Sequence, residues 1–175
     1  MLKFNSNLLK IKLFYLNILG RIKKNNFVIN TNNPNQKLNS ILIVFPIEQD
    51  EFDVAKYCFR NLLSNNKAQY TYLINNVFYS NFHFMGTTYG FNDLKNKGKI
   101  TINENFYTDG IIEKEFDVVI DLNLYFSLDI AMIVNKIKSN YKVCLKNAYS
   151  DWFYNIQLEC NTLEYGYDKI NSMLN

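Results

Sequence analysis

A chain of 175 residues with 48% hydrophobic and 16% aromatic residues is too apolar for disorder. It is long enough to bury about two-thirds of the surface its unfolded form exposes. A net charge of +3, with Lys scattered among Asp and Glu, excludes the basic surface of a nucleic-acid binder; basic character is confined to the N-terminus. Cys58, Cys144 and Cys160 are odd in number and widely spaced within apolar patterns, which speaks against a disulfide framework and for a reducing, cytoplasmic setting.

In chain order, residues 1–24 form a basic amphipathic segment. Leu8, Leu9, Ile11, Leu13, Phe14, Leu16, Ile18, Leu19 and Ile22 are interleaved with Lys10, Lys12, Arg21, Lys23 and Lys24, which predicts a helix over 8–24 with a wide apolar face. It is too short and too charged to span a bilayer, and no small-residue cleavage site follows it. Two readings stand side by side: a helix lying on anionic lipid at the inner membrane surface, and, favoured, a helix packed on the domain's own core. Residues 25–39, rich in Asn with Pro34 in a turn signal, read as a linker, and residues 40–175 as one domain.

Ile41–Phe45 is a buried-strand run ended by Pro46, and Phe52, Ala55, Phe59, Leu62 and Leu63 follow at helical spacing. Gln69–Asn75 suits a second strand. The aromatic stretch 77–90 predicts a short helix at Val77–Ser80 and a short strand at His83–Met85, with a helical turn near Asn92–Asn96. Lys99–Asn103 reads as a strand, and a brief helix is expected after the Asp109-Gly110 turn. Phe116-Asp117-Val118-Val119-Ile120-Asp121-Leu122 has the composition of a strand buried on both faces. A helical pattern over 123–139, a strand at Tyr141–Leu145, a last strand at Ile156–Glu159 and a closing helix at Glu164–Leu174 complete the series. Strands alternating with helices predict an α/β fold: a doubly wound, mostly parallel Rossmann-like sheet with an extra N-terminal basic helix. Ligands of such sheets sit beyond the carboxyl ends of the strands, here 46–51 and 121–125.

The loop Pro46-Ile47-Glu48-Gln49-Asp50-Glu51 has no glycine, and its carboxylates repel a phosphate at the very place where a helix dipole would attract one, which argues against a dinucleotide cofactor. No metal or cofactor is expected. Glu48, Asp50 and Glu51 are candidate ligand or base carboxylates; first-turn capping, with Asp50 as N-cap, is the favoured structural role. Asp121, at the end of the central strand, is a further ligand candidate, and a cap on the next helix is equally natural for it. His83, the single histidine, reads as structural, as do Trp152 and the C-terminal tyrosines, although such aromatics can stack on a sugar.

Three of these segments carry a family resemblance. Ile41–Pro46, five loop residues and the stretch Phe52–Leu62 with its ending Phe59-Arg60-Asn61-Leu62 resemble the opening of the heptosyltransferase-like family 9 glycosyltransferases. The central Phe-Asp-x-x-Ile-Asp-Leu run is similar to that family's strand, and Lys142–Leu145 lies where the family carries another. The resemblance covers about residues 40–155, the N-terminal, acceptor-side half of a GT-B enzyme. It implies Glu51 in the place of the family's loop aspartate, the general base, and Asp50 in the place of its glycine. It also implies that a donor-binding domain, if any acts here, comes from a partner protein. The expectation is a stand-alone, non-catalytic binding or assembly module in cell-envelope sugar metabolism; the alternative is one half of a split glycosyltransferase with Glu51 as catalytic base.

Overall fold

A computed structural model of the protein describes residues 6–22, 38–60, 68–94 and 99–174. Residues 25–37 of the expected linker, Lys23 and Lys24, the Asn61–Leu63 end of the second helical pattern, and Lys95 and Asn96 lie outside them. Strands β1 (Ser40–Val44), β2 (Gln69–Asn75), β3 (Thr87–Leu94), β4 (Lys99–Ile102), β5 (Glu115–Asp121), β6 (Lys138–Leu145) and β7 (Ile156–Leu158) form one seven-stranded sheet in the order β4-β3-β2-β1-β5-β6-β7. All neighbours pair in parallel except β3 and β4. The fold is thus the expected doubly wound α/β sheet, with strand order reversing between β1 and β5.

The apolar runs explain the central position of β1 and β5. Ile41–Val44 and Val118–Ile120 are all at most 4% exposed, so both faces of these strands must be covered. On one face Ile41, Ile43 and Phe45 pack with Ile74, Ile120 and Val143 beneath helices α2 (Gln49–Phe59) and α5 (Leu163–Leu174). Phe45 is the hub of this layer, its ring centroid 4.9–6.4 Å from those of Phe52, Phe59, Tyr72, Phe82 and Phe84. On the other face Leu42, Val44, Leu73 and Val119 are covered by a layer that includes the short helix α3 (Asn105–Thr108) and α4 (Leu128–Lys136), which bury Phe106 and Ile130, Ala131 and Val134.

Helix α1 (Ser6–Ile18) joins this second layer. Leu13, Leu16 and the following Ile22 are buried there, and Asn135 of α4 donates its side-chain N–H to the Arg21 carbonyl (3.4 Å). The favoured packing on the domain's own core therefore holds for one stripe of the helix. The helix ends before the expected Lys24 because Gly20 turns the chain at φ +66°.

Four local expectations are corrected. His83–Met85 is not a strand, and Asn92 is not part of a helical turn; instead Thr87–Leu94 forms β3. The turn-forming residues Gly90 and Asn92 serve a tertiary purpose here. Asn76, Asn92 and Asn103 share side-chain hydrogen bonds of 2.9–3.2 Å over Gly90, where an added Cβ would meet Asn76 Oδ1 at 1.8 Å. The brief helix near Asp109-Gly110 precedes that turn instead of following it. Finally, Asp50 is not the N-cap of α2: the helix starts at Gln49, and Glu48 occupies the cap position without a side-chain bond.

Candidate functional site

The β1–α2 and β5–α4 loops meet where the strand order reverses, because Val44 at the end of β1 is paired with Asp121 at the end of β5. Leu122 N–H then donates to the Val44 carbonyl (3.0 Å), which keeps the two segments side by side past the paired strands. Of the four carboxylates expected here, the fold brings two inward and leaves two outside. Glu51 and Asp121 are 7% and 5% exposed, whereas Glu48 and Asp50 face solvent.

Glu51 stands in the first turn of α2, on the face that also buries Phe52, Ala55 and Phe59. Its Oε2 accepts the Leu124 N–H (3.2 Å) from the opposite loop. Burial raises its pKa above the ordinary carboxyl range, the Leu124 N–H opposes this, and the charges of Glu48, Asp121 and Asp50 push it further up. A carboxyl so placed holds its proton closer to neutrality, which is the property a general acid or base requires.

Asp121 does not cap a helix; Ser127 caps α4, its Oγ accepting from Ile130 N–H (3.5 Å). Asp121 Oδ1 accepts from the Asn123 backbone N–H (3.0 Å) and side-chain N–H (2.7 Å), and Oδ2 accepts from the Tyr154 hydroxyl. Burial again raises the Asp121 pKa, against the lowering effect of these donors, and burial with the neighbouring carboxylate pushes the Tyr154 hydroxyl well up. The pair is a polar lock inside the α4 layer. Asn123 extends it: its Oδ1 accepts the Ile47 N–H (2.9 Å) of the first loop. Tyr167 of α5 donates its hydroxyl to the Leu122 carbonyl (2.8 Å) from the other layer.

Asn123, Tyr154 and Tyr167 are the members that sequence reasoning missed. Asn123 had a local signal, since an Asx side chain two residues before an N–H closes a turn and Asp121-Leu122-Asn123 has that spacing. Tyr154 and Tyr167 had none, being 33 and 45 residues from their partners. His83 faces solvent, outside the aromatic packing of Phe82 and Phe84, and Trp152 is half-buried against the core that holds Phe153 and Tyr154. Among the described residues no three His, Cys, Asp or Glu side chains are grouped to hold a metal ion, and no helix is long and apolar enough to cross a membrane.

No protein-family model and no curated protein matches the sequence. The fold does have solved relatives. It is similar to an E. coli heptosyltransferase, WaaC, solved with ADP (TM-score 0.55, 10% identity), over 76% of this chain and 46% of that one. It is also similar to a family 9 glycosyltransferase from Veillonella parvula (TM-score 0.54, 13% identity), over 79% of this chain and 42% of that one. The chain thus spans less than half the length of these structures. Its α/β architecture is similar to that of a little under half of each of these glycosyltransferase structures, the fold that the strand motifs implied.

Proposed function

We propose that this chain is a non-catalytic sugar-binding or assembly module of cell-envelope metabolism, built like the acceptor-side half of a family 9 glycosyltransferase. One observation carries the proposal: the carboxylates at the strand-order reversal are spent on the protein itself. Glu51 holds Leu124, and Asp121 holds Asn123 and Tyr154, so the side chains that a transferase would turn towards an acceptor hydroxyl serve as loop clasps. What the rim offers a ligand is exposed Glu48, Asp50 and the exposed ring of Tyr125. Carboxylates accept hydroxyl hydrogen bonds and a tyrosine face packs on a pyranose, while phosphate is repelled; the ligand is an uncharged or amino-sugar glycan.

The test pairs two measurements on the purified chain: binding to an array of bacterial surface oligosaccharides, and release of ADP or UDP from ADP- and UDP-sugars in their presence. Saturable glycan binding, weakened by Glu48→Gln and Asp50→Asn, without nucleotide release is the expected result. Nucleotide release by the chain alone, or no binding to any glycan, overturns it.

The raised Glu51 pKa favours the second reading, one half of a split glycosyltransferase whose donor-binding domain is a partner protein. On that reading a second chain that binds nucleotide-sugar is recovered with this one from cells, and Glu51→Gln abolishes transfer by the pair while the fold persists. Transfer retained by the mutant rules it out.

A further inference from the structure

We infer that the outer face of α1 lies on an anionic lipid bilayer, so that the α1, α3 and α4 layer faces the membrane and the α2 and α5 layer faces away. At 3.6 residues per turn, Leu9, Leu13 and Leu16 share one stripe of α1, and this stripe is the one packed into the core layer that holds α3 and α4. The opposite side carries Leu8, Ile11, Phe14, Tyr15 and Ile18, with Leu19 in the turn beyond. These six large apolar side chains are 47–65% exposed. The inner stripe alone packs on the core, and among the described residues nothing covers the outer one.

Charge identifies what it meets. The first acidic residue of the chain is Glu48; the 47 residues before it contain seven Lys or Arg, leaving 12 basic against 16 acidic residues in the rest. Lys10 and Lys12, both exposed, lie on the two borders of the outer apolar face, and exposed Arg21 follows the helix. Apolar side chains at the acyl boundary flanked by cations at the headgroups is the geometry of an interfacial helix. A second copy on the same face is disfavoured, because it would bring the basic borders of both chains together.

Co-sedimentation of the full chain with vesicles tests this, using phosphatidylcholine alone and an equal mixture of phosphatidylcholine and phosphatidylglycerol. Binding to the mixed vesicles is expected, with little to the neutral ones and a loss in high salt. Replacing Phe14 and Ile18 together by Ser lowers the partition by about tenfold or more. Lys10→Gln and Lys12→Gln each lower it about fivefold. All four side chains are exposed, so the variants keep the parent's circular dichroism and melting temperature; if one does not, the single variant Ile11→Ser replaces it. The inference falls if the mixed vesicles are not bound, if the Phe14/Ile18 variant binds as the parent does, or if neutral vesicles bind equally. It also falls if the parent is a dimer in solution that this variant dissolves while vesicles are ignored.

Discussion

Strand β5 carries two aspartates, and the fold treats them in opposite ways. Asp117, near the entry, is half-buried, and its Oδ2 accepts the N–H groups of Asn39 (2.7 Å) and Ser40 (2.9 Å), fastening the start of β1 beside water. Asp121, at the exit, is sealed between the layers with Tyr154 and Asn123 as donors. The residue type and the strand are the same, so the difference in chemistry comes from solvent and partners. A hydrogen bond that water can replace contributes about 1 kcal/mol, whereas a buried group stripped of its partner costs its whole desolvation penalty, about 1–3 kcal/mol.

The comparison can be broken most directly at the buried end. Asp121→Ala orphans the Tyr154 hydroxyl and both Asn123 donors at once, and a loss of about 3 kcal/mol or more is expected in urea unfolding. Tyr154→Phe orphans a single carboxylate oxygen and is expected to cost about 1–3 kcal/mol. Combining it with Asp121→Ala should cost less than the sum, because the two side chains serve each other. Asp117→Ala exposes its former partners to water, and a loss of about 1 kcal/mol or less is expected. If Asp117→Ala proves as costly as Asp121→Ala, burial is not what separates the two ends.

The smallest effect concerns pH. Asp121 and Glu51 both have pKa values raised by burial, so between the ordinary carboxyl range and those raised values the folded chain binds more protons than the unfolded one. Stability therefore falls as pH rises through that window and recovers as pH is lowered through it. Glu51→Gln keeps an acceptor for Leu124 N–H and removes one of these two buried carboxyls. Its melting temperature should match or exceed the parent's at mildly alkaline pH, and the gap should close towards mildly acidic pH. A constant gap across that range would assign the slope to other groups.

Much of the fold was legible in short apolar runs. Ile41–Phe45 and Phe116–Leu122 read as buried strands, Tyr141–Leu145 as a further strand, and Phe52, Ala55 and Phe59 as one face of a helix. β3 was not legible, because Gly90 and Asn92 look like turn residues; they sit in a strand because Gly90 leaves room for the Asn76–Asn103 contact. At the site, Glu51 and Asp121 were found from their place after the strands. Whether each faces ligand or protein was not, since Leu124, Tyr154 and Asn123 determine it.

The sequence by itself determined the central strands β1, β5 and β6 and the helix that follows β1, and it marked 46–51 and 121–125 as the strand ends where a ligand would sit, because periodicity and apolar runs are local properties of the chain. Only the tertiary structure decided that β4 pairs antiparallel, which stripe of α1 is inner and which outer, and that two of four carboxylates become clasps. The α1 stripe and the clasps rest on contacts between residues far apart in the chain. Burial then sets their energy, and burial belongs to the packed layers and not to any one segment.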